Sequence, residues 1–106
     1  MIIYNVTTNV SEERHEQWLD WMQHKHIPDM IATGKFTKAR LIKVLVDEPM
    51  GGVTYSVQYH TDSKTTLERY YEEDADRLRS ETLSLFGEDV ISFRTELQVI
   101  SDHKAV

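Results

Sequence analysis

The chain has 106 residues, a length that suits one domain with a single core and little surplus for a large internal cavity. A formal charge of −6 and a pI near 5.3 argue against nucleic-acid and anionic-membrane partners, and the absence of cysteine excludes disulfides, thiolate nucleophiles and cysteine-type metal sites. Hydrophobic residues at 40% with only four glycines and two prolines argue against a low-complexity or disordered chain.

The opening MIIYNVTTNV has no basic segment ahead of a long apolar run, and no stretch approaches ~20 apolar residues. The expectations are no signal peptide, no membrane span and a cytoplasmic location. Ile2 to Val10 alternates, with Ile2, Tyr4, Val6 and Val10 on one side and Asn5, Thr7 and Asn9 on the other. That period of two predicts a half-buried strand. Ser11 suits a helix N-cap, with Glu12 and Glu13 in the first turn, and His15, Trp18, Leu19, Met22 and His26 form one helical stripe. Pro28 removes a donor and disfavours helix at Ile27, so the spacing predicts a kink or break there and a short turn ending at Gly34.

Phe36 to Val46 reads as a long second strand and Val53 to His60 as a third, joined as a hairpin through the turn cluster Asp47 to Gly52. Asp62 or Ser63 caps a second helix with Leu67, Tyr71, Ala75, Leu78, Thr82 and Leu85 on its buried stripe and Gly87 as its stop. Glu72, Glu73, Asp74 and Asp76 read as a solvated helix face. Val90 to Ile100 is the last strand, with Ile91, Phe93, Leu97 and Val99 opposed to Ser92, Arg94, Glu96 and Gln98. Residues 1–100 form one domain and 101–106 a polar tail.

The order βαββαβ with right-handed crossovers predicts an α+β, ferredoxin-like antiparallel sheet of strand order 4-1-3-2, both helices on one face. The other face then holds Asn5, Thr7, Ser56, Gln58, Arg94 and Glu96 beside apolar residues of the second strand. Short neutral polar residues suit a surface buried on a polar partner, so a homodimer stacked through its sheets is expected; a monomer with a wet sheet is the alternative. Lys38 and Arg40 on one edge and Glu96 on the other read as edge protection, or as charges that meet across a dimer.

Three segments carry a resemblance: Trp18-Leu-Asp-Trp21-Met, His26-Ile-Pro28-Asp29 and Thr33-Gly34-Lys-Phe36. With them the chain, from Ile2 to Ile100, resembles the dimeric α/β-barrel superfamily. Within it the chain looks most like a small bacterial family of unknown function, which the phrases GGVTYSVQY (Gly51 to Tyr59) and SFRTEL (Ser92 to Leu97) fit. The superfamily holds cofactor-free monooxygenases, isomerases, haem-using enzymes and simple ligand-binding modules, so the resemblance implies a pocket between sheet and helices but no one activity.

His26 is the candidate general acid–base residue: at a helix end its protonated form is favoured, and Trp18 and Asp29 are near in sequence. The alternative is that it caps the helix. Trp18, Met22, Asp29, Tyr55, Tyr59 and Arg94 are the candidate ligand-binding residues, and Tyr70 and Tyr71 could join the same aromatic lining or belong to the core. Arg94 needs a partner; Glu96 is the expected one, and an anion is the alternative. His24 and His26 point nearly opposite ways on a helix, and His15 and His26 lie about 16 Å apart, so no metal is expected. No nucleotide, hydrolase or zinc motif is present and no cofactor is expected. The leading expectation is a homodimer that binds a small molecule between sheet and helices. The alternatives are a cofactor-independent monooxygenase- or isomerase-type enzyme and a structural interaction module.

Overall fold

β1 (Ile2–Val10) lies in the middle of the sheet and pairs with a neighbour on each side. A computed structural model describes all 106 residues. After β1 comes a helical run of three pieces: α1 (His15–Trp21), a π-turn over Met22–His26, and α2 (Ile27–Ala32). β2 (Lys38–Lys43) and β3 (Val53–Thr61) form the hairpin. A second helical run follows, with α3 (Lys64–Tyr70), a π-turn over Tyr71–Ala75 and α4 (Asp76–Phe86). A 3₁₀ turn at Gly87–Asp89 leads into β4 (Val90–Gln98). The sheet is antiparallel throughout in the order β2-β3-β1-β4, the ferredoxin-like arrangement expected from the sequence. Residues 99–106 carry no regular structure.

Both helical runs cover one face of the sheet. Tyr4, Val10, Tyr55, Val57 and Tyr59 from the strands are buried with Trp18, Met22, Met30, Leu67, Tyr70, Leu78 and Phe86 from the helices. At one end four rings cluster: Tyr4, Phe36, Tyr59 and Tyr70, with Phe36 and Tyr70 edge to face at 5.0 Å. Such pairs add about 0.5–1.5 kcal/mol beyond the area they bury.

Of the kink or break predicted at Pro28, the break does not occur, and the distortion takes the form of the π-turn just ahead of it. The Ile27 N–H reaches back five residues to the Met22 carbonyl, so the turn ahead of Pro28 is widened. The proline ring then meets a ladder already opened, and the helix continues to Ala32. The second π-turn likewise displaces the buried stripe. Tyr70 and Ala75, five apart, are buried, while Tyr71 is half-buried; beyond them Phe86 packs inward and Leu85 faces out, contrary to the even helical spacing. Ser63 caps α3 by accepting from the Thr66 N–H, as its residue type predicts. Ser11 caps nothing with its side chain: α1 starts four residues later and the buried Ser11 hydroxyl has no partner.

β2 is shorter than the predicted span of 36 to 46. Phe36 leaves the strand to join the ring cluster, and beyond Lys43 only the Val44 N–H still bonds across, to Thr54. The acidic helix face is not fully solvated either. Asp74 and Glu73 hold the ammonium of the buried Lys35, at 2.7 and 3.5 Å, and anchor the loop before β2 to the second helical run.

The largest departure is the orientation of β4. It pairs Val10 with Val90, Thr8 with Ser92, Val6 with Arg94 and Tyr4 with Glu96. Cross-strand partners share a face, so Arg94 and Glu96 stand on the helix-covered side and Ile91, Phe93 and Leu97 on the bare side. These three are 70%, 63% and 38% exposed. The sequence alternation was read with the apolar set inward, but β4 is an edge strand, and at that rim polar side chains reach water around the helices. Two expectations fall with this. Arg94 and Glu96 are not an ion pair: Glu96 binds Lys64 and accepts from the Tyr71 hydroxyl at 2.6 Å. Glu96 also cannot meet Lys38 or Arg40 across stacked sheets, because it lies on the opposite face.

Candidate functional site

A cavity of about 50 Å³ lies between the sheet and both helical runs. β1 supplies Tyr4, Val6 and Thr8, β3 supplies Val57 and Tyr59, and β4 supplies Ser92 and Arg94. Trp18, Met22, His26 and Met30 close it from the first helical run, and Tyr70, Arg79 and Thr82 from the second. The volume holds about three or four waters at roughly 10–15 Å³ each, or an organic molecule of a few heavy atoms. A haem or flavin requires a site of several hundred Å³.

The cavity gathers five of the seven residues singled out in the sequence: His26, Trp18, Met22, Tyr59 and Arg94. The other two lie elsewhere. Asp29 pairs with Lys25 on the outer side of the helix. Tyr55 stacks under Trp18 at 5.1 Å and shares a hydrogen bond with His15 Nδ1, outside the cavity. Tyr71 packs beside Tyr4 but does not reach the lining.

His26 sits in the π-turn, inside a continuous helix, and so neither caps a helix nor faces the end of a dipole. Its ring stacks on Trp21 at 4.9 Å and its Nδ1 is buried without a hydrogen-bond partner. Burial pushes its pKa down to about 4, and the nearby Lys25 and Arg94 charges push the same way against Asp29. The imidazole is therefore neutral at pH 7, with one nitrogen available.

Arg79 and Thr8 were not legible as lining residues. Arg79 falls on the inward stripe of α4 between Leu78 and Thr82, and a stripe read from apolar residues alone passes over it. Its guanidinium donates to the Tyr4 hydroxyl at 3.0 Å and stands over the Tyr71 ring, while its buried Nε has no acceptor. Thr8 keeps the inward register of Tyr4 and Val6, and its hydroxyl shares a 2.7 Å hydrogen bond with Ser92. Around these polar groups the walls are apolar, and burial pushes the Tyr59 and Tyr70 hydroxyls well above the usual phenol range. Tyr70 donates to the Met30 sulfur at 3.3 Å.

Residues 1–100 match the family described as domain of unknown function DUF4286. The chain belongs to that family. The DUF4286 fold is shared by solved structures of low identity. A dimeric ferredoxin-like protein from an uncultured marine organism superposes with a TM-score of 0.70 at 14% identity, over 96% of this chain and 97% of that one. An ethyl tert-butyl ether D family protein from Bacillus halodurans gives 0.67 at 13%, over 92% and 100%. A proposed antibiotic biosynthesis monooxygenase from Deinococcus radiodurans gives 0.60 at 11%, over 100% and 99%. At these identities the likeness is one of fold. No curated protein matches the DUF4286 chain. None of its helices is long and apolar enough to cross a membrane.

Proposed function

We propose that the DUF4286 domain is a homodimeric binding module that holds a small molecule in the cavity between sheet and helices. The observation that carries this reading is a cavity between sheet and helices, lined by His26 and Arg79, each of which keeps a buried polar atom, Nδ1 and Nε, with no partner in the protein. Buried polar groups are nearly always satisfied, and an orphan beside empty space marks a place for a ligand atom or water. Binding is favoured over acid–base catalysis because a group with a pKa of about 4 is a weak base near neutral pH; the ring suits hydrogen bonding. A fragment screen followed by ¹H–¹⁵N NMR tests it. Hits are expected to shift the Thr8, Met22, His26 and Ser92 amides together. Hits that scatter over the surface, or none at all, overturn the reading.

Dimerisation is supported by the bare face. Ile91, Phe93 and Leu97 stand there with Ile3 on the neighbouring strand and Ile42 on the far edge of the same face. Some of its polar residues are already paired: Ser56 donates to Asn5, Asn5 donates to Thr7, and Asn9 donates to Thr54, while Gln58, Lys38 and Arg40 on the same face remain free for a partner. The paired part of the face, around Asn5, Thr7 and Ser56, can be covered at low cost. Four strands about 4.8 Å apart, rising ~3.3 Å per residue, present on the order of 500 Å² in projection, enough for an interface of about 800 Å² of accessible surface per partner. The marine relative of this fold is described as dimeric.

A further inference from the structure

We infer that the cavity is an anion site in which Arg79 and Arg94 hold a small carboxylate of about three to six heavy atoms. The inference rests on the binding reading above and names the chemistry of its ligand. Two guanidiniums line the cavity and no Asp or Glu does, in a chain whose formal charge is −6. Neither arginine is within ion-pair distance of a carboxylate. Of the acids of that side, Glu96 is held by Lys64 and Tyr71, Asp74 by Lys35 and Arg77, and Glu81 stands 3.9 Å from Lys25 with its buried Oε1 in no hydrogen bond.

A guanidinium carries five donors in a rigid fork that matches a carboxylate, and Arg79 is half-buried, so each donor turned inward needs an acceptor there. Arg79, which lines the cavity, spends one donor on Tyr4 and leaves its Nε buried and unpaired. Its contact with the Tyr71 ring compensates only part of the charge. Arg94 is solvent-exposed on the edge strand yet lines the same cavity, which places the mouth beside β4 and a second positive charge at that mouth. The neutral His26 ring and the Thr8–Ser92 hydroxyl pair remain inside to orient the uncharged end of the ligand. The volume limits that ligand to a short-chain acid, since a longer one would displace Trp18 or Met22.

The test is a ¹H–¹⁵N NMR titration in a buffer free of carboxylate and phosphate, with acetate and pyruvate against acetamide and pyruvamide. The amides match the acids in shape and lack the charge. The acids are expected to shift the Thr8, Ser92 and Arg94 amides at millimolar concentration or below, and the amides to bind at least tenfold more weakly. Arg94→Gln is expected to weaken acid binding tenfold or more. Its site is exposed, so the spectrum should stay dispersed; Arg79→Gln is the second variant, read only if it does too. Equal binding of acid and amide, an unaffected Arg94→Gln, or shifts confined to surface lysines would each overturn the anion site. If the fragment screen still finds the cavity in those cases, the binding reading survives and only its ligand class is wrong. If both experiments leave the cavity silent, both fall.

Discussion

Trp18→Ala is expected to cost about 3–5 kcal/mol of unfolding free energy, the range for removing a large buried aromatic ring. Trp18 is 1% exposed, stacks on Tyr55 and closes one side of the cavity. The void it leaves joins a cavity that already exists, so the site has little with which to collapse. A domain of this size has about 5–15 kcal/mol in total, and the change corresponds to a fall in melting temperature of roughly 20 °C. Urea denaturation of both proteins, at one fixed concentration so that the proposed dimerisation contributes equally, measures it. A loss under about 1 kcal/mol would mean that Trp18 is not the wall of the core described here.

Acid is expected to destabilise the domain through His26. The folded pKa is about 4 against an ordinary 6.5, so between those values the unfolded chain binds a proton that the folded one refuses. Stability therefore rises with pH across that window, is complete above about 6.5, and is lost on the way down to 4. From pH 7 to pH 5 the loss from this one group is about 2 kcal/mol. His60, also held below its usual value by burial and by Lys38 and Arg40, adds a contribution of the same sign. Asp62 and Glu96 are held down by hydrogen bonds from Thr66 and Lys64, so their stabilisation is present above about pH 4.5 and fades only below it. His26→Gln should flatten the profile between pH 5 and 7 to the residual slope of His60. An unchanged slope would place the imidazole in water rather than in the core.

Much of the architecture was legible because it depends on local pattern. β1 and β3 alternate cleanly, Ser63 and Gly87 bound the second helical run, and the order of elements leaves one sensible sheet. What the chain did not disclose is non-local. A period of two says which residues of β4 share a face but not which face points inward. The pairing of Val10 with Val90 decides that, across 80 positions of sequence. The π-turns were hidden for a related reason. Pro28 signals a helix end by its missing donor, and only the widened turn ahead of it shows how the helix survives. The candidate site was half visible. Trp18, Met22, His26, Tyr59 and Arg94 stood out as chemical types on inward stripes, while Asp29 was chosen for its nearness in sequence to His26 and lies on the outer side. Arg79 was passed over because a charged residue on an apolar stripe reads as solvent-facing.

The inverted face of β4 is the feature on which the proposed dimer depends, and sedimentation velocity tests it directly. The wild-type chain is expected to sediment at twice its 12.4 kDa mass, and Phe93→Glu at 12.4 kDa with its circular dichroism intact, since Phe93 contributes to no core within one chain. A wild-type chain that sediments as a 12.4 kDa monomer at micromolar concentration and above would contradict the account and leave Ile91, Phe93 and Leu97 without a reason to face outward.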